Sequence, residues 1–430
     1  MPNPSPWRIR DFRTLFSASA LSVLGMNVTY VAVPLLALLA LDASAGQVGL
    51  LAALGTLAFL VIGLPAGAWV DRLAHRKVLV VAALCRGTLL VSVPLAWWLD
   101  VLTFGQLCAV VLLDGVCTVF FDVTAQSTLP RVVGPDALVP ANAVLVSLQA
   151  AGSITGRGAG GGLVQFLSAP VALACAAVGY LIAGVRLMRL KRTDDGPVRK
   201  AGPEPATRLR AQIAEGLRHV LGDAELRALA LTGTLSNLGG VMINTMLPVL
   251  FARELHLSAG LLGVYWAIGG VGIFLGAWCA RPLAARFGFG RCLALVNLCV
   301  APVGLLVPLI DRGPWLWVAS AAWLLFTLTT GLGNVLGVSL RQRLTPAPLL
   351  GRMNATFRFM LMGAMAVAAA LSGLIGEYVS LRAALRTGAV CLCLSGLPLI
   401  LSPVRHRREL PGETRPPVRG QFNQSARTPR

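Results

Sequence analysis

Along this chain apolar residues come in runs of about twenty, each closed by a short cluster of charge, glycine or proline. A helix rises 1.5 Å per residue, so a run of that length crosses ~30 Å of hydrocarbon. The pattern predicts spans near 15–40, 47–70, 77–99, 103–125, 141–166 and 168–188, then near 227–252, 259–280, 290–310, 315–339, 353–378 and 382–403. In lipid each backbone amide must find its partner within its own segment, which makes these runs helices. The expected fold class is an all-α integral membrane protein of twelve transmembrane helices. The first run has no small-residue cleavage site behind a short apolar core and reads as a retained helix.

Two sets of six spans are divided by a polar stretch. The expected organisation is an N-terminal half over 1–188, a cytoplasmic linker over 189–226, a C-terminal half over 227–404, and a basic, disordered tail over 405–430. Within the linker, Leu209, Ile213, Leu217 and Leu221 recur at helical spacing opposite Arg210, Glu215 and Arg218, the pattern of an amphipathic helix lying on a membrane surface. The halves echo each other: Gly67-Ala68-Trp69 returns as Gly276-Ala277-Trp278, Asn142-Ala143 as Asn354-Ala355, and Pro34 as Pro248, at offsets of 209, 212 and 214. Nearly constant offsets indicate a duplicated six-helix unit, and two such units can rock about a site between them.

Composition agrees, with 56% hydrophobic and 13% charged residues. The net charge of +19 would suit a nucleic-acid binder if the basic residues formed one patch, but they do not. With both termini placed in the cytoplasm, the inner segments hold 29 Lys and Arg residues and the outer loops hold only Arg253, Arg312 and Arg382. That asymmetry is a topology signal of a multi-pass protein of the cytoplasmic membrane, and it leaves no nucleic-acid partner to invoke. The basic tail faces anionic lipid.

Several chemistries are missing from the sequence. No lysine follows a glycine, so there is no phosphate-binding loop and no sign of an ATP-driven pump. The histidines, at 75, 219, 256 and 406, lack metal spacing, and no Gly-x-Ser-x-Gly occurs. All nine cysteines fall in apolar runs without a disulfide or zinc pattern. No cofactor, metal or catalytic residue is expected, and energy would come from an ion gradient.

The stretch GAWVDRLAHRK, Gly67 to Lys77, between the second and third spans resembles the signature of the major facilitator superfamily, with Ala74 where a later glycine is usual. DFRTLF before the first span, FFDVTAQSTLPRVV leaving the fourth, ALVPANAVLVSLQAAG entering the fifth and GRMNATFRFM entering the eleventh resemble its exporter branch, which includes enterobactin exporters and macrolide-type efflux proteins. The resemblance implies two pseudo-symmetric six-helix bundles and alternating access. It also implies a cytoplasmic latch of Gly67, Asp71, Arg72, Arg76 and Lys77 with Arg358, in which Asp71 at a helix end meets a basic side chain or the positive start of another helix. In related antiporters the fifth span reads Gly-Pro, two residues, Gly-Gly. Here Gly156-Arg157-Gly158-Ala159-Gly160-Gly161 keeps the glycines and puts arginine at the proline.

An arginine in mid-membrane costs roughly 3 kcal/mol on insertion scales, so Arg157 should face a partner or a wet cavity. Counted from the inner helix ends, Arg157 lies at ~22 Å, and Asp114 and Asn27 at ~18 Å, which makes a buried cluster of the three the expected arrangement. Asp122 sits ~6 Å deep on roughly the same face as Asp114, within range of Arg86 or Arg131. A carboxylate beside arginine stays ionised and takes up a proton when separated from it in apolar surroundings, so Asp114, Arg157 and Asp122 are the candidates for proton coupling. Gly152, Gly156 and Gly160 form a smooth strip for close helix packing. Asn27, Asn237, Asn244, Met242, Met246, Thr330 and Asn334 are the candidate substrate cavity, with Thr327, Thr329, Phe326, Tyr265 and Trp266 as further lining, and Asn334 meeting Arg358 near the inner mouth.

The expected function is a proton-coupled exporter of a small amphiphilic compound such as a drug, siderophore or natural product, acting as a monomer with substrate, protons and lipid as its partners. Uptake by proton symport stays open, as does a non-transport role as a membrane scaffold or enzyme.

Overall fold

The computed structural model describes residues 5–70, 73–190, 206–346 and 349–407. Its twelve long apolar helices are Arg10–Ala40, Ala45–Val70, His75–Trp98, Phe104–Gly134, Ala137–Leu167 and Ala169–Leu187, then Ala224–Glu254, Ala259–Phe287, Phe289–Leu309, Pro314–Leu344, Leu350–Tyr378 and Leu381–Leu401. They are numbered here as spans one to twelve. No strand occurs among the described residues. An even number of spans leaves Arg10 and Leu401 on one face of the bundle, called here the terminal face. The opposite one is the far face.

The helices run further than the apolar runs do. Residues 126–140, expected as a loop, are helical except at Gly134, whose φ of 72° breaks the helix between spans four and five. Gln126, Ser127 and Arg131 end the hydrophobic stretch, yet Leu129, Val132 and Val133 on the same turns pack against Phe12 and Leu15. Polarity marked where the chain leaves lipid, while burial kept it helical. Spans eight and ten likewise extend to Phe287 and Leu344, with Arg286, Arg341 and Arg343 in or near their last turns, where positive charge suits the helix dipole.

The duplication is visible in the backbone. Asp42 and His256, 214 residues apart, both take left-handed conformations, at φ 48° and 47°. Beside them the Ala43 amide donates to the Ala37 carbonyl at 2.9 Å and the Leu257 amide to the Phe251 carbonyl at 2.7 Å. Ser44 Oγ then accepts from the Gln47 amide and Ser258 Oγ from the Leu261 amide, each at 3.3 Å, two side-chain caps of the same form. The offset equals that of Pro34 and Pro248. The Gly67 and Gly276 triplets do not obey it: Gly67 falls near the end of its helix and Gly276 in mid-helix, so that sequence match pairs inequivalent places.

The linker forms a helix over Ala206–Gly222. It packs on span eleven, where Glu215 is ion-paired with Arg352 and Gly216 lies against the Arg352 carbonyl. Leu217 and Leu221 remain exposed. The side chains of Leu209, Arg210 and Ile213, and the tail beyond Arg407, lie outside the described residues.

Candidate functional site

Asp114 is bonded to Arg86, not to Arg157. Arg86 Nε donates to Asp114 Oδ1 at 2.9 Å, its Nη1 to Ser22 Oγ at 3.1 Å, and its Nη2 to Tyr180 OH at 2.6 Å. The guanidinium carbon also sits 4.0 Å from the centre of the Tyr180 ring. Four helices of the first half thus meet on one cation that is only 1% exposed. Gly25 makes room, since a side chain there would reach the Tyr180 ring at 3.0 Å. Counted from the far ends of their helices, Arg86, Asp114 and Arg157 lie 12, 10 and 10 residues in. Depth therefore does not choose between the arginines. The direction each side chain faces around its helix does.

Arg157 keeps the other expected partner. Its Nε donates to Asn27 Oδ1 at 3.2 Å, and its guanidinium carbon lies 4.8 Å from the centre of the Tyr30 ring, a cation-π arrangement. Tyr30 in turn lies 5.0 Å, ring centre to ring centre, from Trp266 of span eight. The cluster therefore reaches from one half into the other.

The glycine strip sets span five on span one: a side chain at Gly156 would meet Asn27 Cβ at 2.7 Å, and one at Gly160 would meet Val28 Cα at 3.1 Å. The neighbouring face of span five meets span eight. There a Cβ on Gly161 would lie 2.7 Å from the Ala259 carbonyl, and one on Gly263 2.8 Å from the Arg157 carbonyl. Span two meets span eleven in the same way, with a Cβ on Gly49 falling 2.9 Å from the Ala369 carbonyl. These distances leave no room for side chains, so backbone touches backbone along two seams. At the rim of one seam the Gly46 amide donates to Glu377 Oε2 at 2.9 Å, and at the rim of the other the Gly260 amide donates to Gln165 Oε1 at 3.5 Å. Both seams lie toward the far face. There Arg253 of span seven also pairs with Asp42 of the loop after span one.

The Asp42 carboxylate is 96% exposed, and exposed pairs contribute little. Asp42→Asn should accordingly leave the apparent melting temperature unchanged and alter transport by less than about twofold. Thermal unfolding and vesicle transport with the variant check this.

The remaining candidates disperse. Met242 and Met246 are fully buried, against Gly388 and Gly376, and Tyr265, Trp323 and Phe326 stack within the second half. These are packing positions, because long apolar side chains at helix crossings fill the gaps that glycines leave. Thr327 and Thr329 are buried with their hydroxyls on carbonyls of the preceding turn. Asn237 and Asn244 each donate to a carbonyl four residues back, and Asn244 Oδ1 has no partner among the described residues. Thr330 is half-buried and Asn334 exposed, and no hydrogen bond joins Asn334 to Arg358 among the described residues. Among the described residues no ion pair joins Asp122 to Arg86 or Arg131, although it lies within electrostatic reach of Arg86 and of Arg358. Of the expected latch, Asp71 and Arg72 lie outside the described residues, as does the detail around Gly67. Arg76 donates to the Met188 carbonyl within its own half, and Lys77 is exposed.

Sequence reasoning missed Ser22, Tyr180 and the seam residues Gly49, Gly263 and Gly373, the last of which faces Gly49 across its seam. Arg86 carried a signal of its own. A second arginine in an apolar run incurs the same cost as Arg157 and needs an acid just as much.

The sequence pattern of the Major Facilitator Superfamily matches residues 15–340. The enterobactin exporter EntS of Shigella dysenteriae serotype 1 is 28% identical over 411 residues, covering 93% of this chain and 94% of its own length. EntS of Escherichia coli K12 matches to the same extent. Among solved structures, a bacterial homologue of the iron transporter ferroportin in an inward-facing state superposes with a TM-score of 0.73 at 17% identity, covering 91% of this chain and 98% of that one. The nucleoside transporter NupG superposes with a TM-score of 0.71 at 11% identity, covering 91% of this chain and all of its own length.

Proposed function

This chain belongs to the Major Facilitator Superfamily and is a transporter, not an enzyme; from that premise we propose that it is a proton-coupled exporter of a small amphiphilic compound, of the siderophore or drug kind. It works by alternating access as a monomer in the cytoplasmic membrane, with the terminal face inside. The observation that carries this reading is the doubled seam. Two halves that meet along matching backbone contacts at the far face can part there and close at the other face, because each seam is a contact between helices of different halves. The full-length match to proteins named as enterobactin exporters supports export and the siderophore class.

Coupling rests on Asp114. While it holds Arg86, the network tying spans one, three, four and six is complete. In the state that parts the pair, the carboxylate in apolar surroundings takes up a proton arriving from outside, and once neutral it keeps the first half in the state that releases substrate. The test is accumulation of amphiphilic dyes in inside-out vesicles under an imposed pH gradient, with Asp114→Asn at matched expression. Accumulation should require the gradient in the native chain and fall to background in the variant. Undiminished accumulation after the gradient is collapsed, or full gradient-driven accumulation by the variant, overturns proton coupling. Accumulation in right-side-out vesicles alone gives the symport reading instead.

A further inference from the structure

We propose that Arg157 anchors an organic anion with a flat aromatic body, held against the exposed part of the Tyr30 ring between the two halves. This names a substrate class for the transporter and rests on the transport reading. The two seams supply the reason to look here. The contact of Gly263 with the Arg157 carbonyl has its twin in the contact of Gly49 with the Ala369 carbonyl, and Arg157 and Ala369 are 212 residues apart, the same offset as Asn142 and Asn354. At this place in the fold one half has a fully buried alanine and the other an arginine. The seam itself needs only a small residue, so the guanidinium serves something else.

Its partners are few for a guanidinium. Five N–H donors are available, and the described contacts are one hydrogen bond to the neutral amide of Asn27 and the ring of Tyr30. Asp114, the acid at similar depth, is engaged by Arg86, and no ion pair to Arg157 is found among the described residues. A positive charge at mid-membrane without a counter-ion is costly, and an arriving carboxylate or phenolate relieves that cost with paired hydrogen bonds. Arg86 shows the contrast, since its partners are already in place.

The surroundings define the rest of the ligand. Tyr30 is 42% exposed, which leaves apolar ring surface beside the charge, and Trp266 borders it from the second half. A cation would be repelled by Arg157, and a neutral analogue would leave the guanidinium unpaired.

The test is equilibrium binding to the purified full chain in nanodiscs, with no ion gradient, using three probes of one shape: 1-naphthaleneacetate, 1-naphthaleneacetamide and 1-naphthylethylammonium. The anion should bind at least about tenfold more tightly than the amide, with the ammonium weakest. Arg157→Gln should abolish the preference for the anion while leaving amide binding in place, and Arg157→Lys should retain part of it. Failure of all three probes to bind the native chain, equal or reversed affinities, or a preference that survives Arg157→Gln overturns the proposal. Gradient-driven transport can fail while this order of affinities holds, or succeed while it does not, so the two readings fail separately.

Discussion

Gly161→Leu is expected to leave the protein folded and inserted but unable to transport. The new Cβ falls 2.7 Å from the Ala259 carbonyl and 2.8 Å from Gly263 Cα. Backbone atoms cannot swing aside as a side-chain tip can, so the two halves must separate. Overpacking of this kind costs roughly 1–3 kcal/mol, and it falls almost wholly on the conformation in which the far face is shut. The equilibrium shifts toward the far-face-open state by on the order of ten- to hundredfold, and cycling slows accordingly. Spin labels at Asp42→Cys and Arg253→Cys, in a background lacking the native cysteines, read the separation directly. Longer distances with Gly161→Leu, together with lost transport, are the expected result. Unchanged distances would show that the seam is not the gate. Gly49→Leu acts on the other seam and should give the same result.

The second large effect is on stability. Arg86 is 1% exposed and holds Asp114, Ser22 and Tyr180 together. Removing one member of a buried pair strands the other's charge, at a cost of about 3–5 kcal/mol. Arg86→Met should therefore lower the apparent melting temperature in detergent sharply. Adding Asp114→Leu should restore roughly half or more of the loss, because replacing both charges by apolar groups removes the stranded carboxylate. The double variant should be stable and still fail to couple transport to protons. Strictly additive losses would mean that the two side chains do not depend on each other.

These features differ in how far the sequence announced them. The spans were legible because lipid imposes one length and one secondary structure on each apolar run. Depth was legible in part: counting residues put Asn27 and Arg157 within ~4 Å of one level, and they meet. The direction a side chain faces around its helix was not, because it follows from which helices are neighbours, and that error gave Asp114 to the wrong arginine. With 46 glycines in the chain, a seam glycine looks like any other until the opposing backbone is known. Residues 126–140 misled for another reason, since polar residues there mark the end of lipid contact and not the end of the helix. The repeat was legible in Pro34 and Pro248 but not in the tryptophan triplets, which stand at different heights along their helices.

The seams come in a pair, one on each side of the axis that relates the halves. A single line of contact would let the halves twist about it as well as part. Two lines remove the twist and leave one degree of freedom, a rocking motion in which both sides must seat together. A wedge placed on either side should then jam the entire lid, and the order in which the two sides seat has no alternative route to explore.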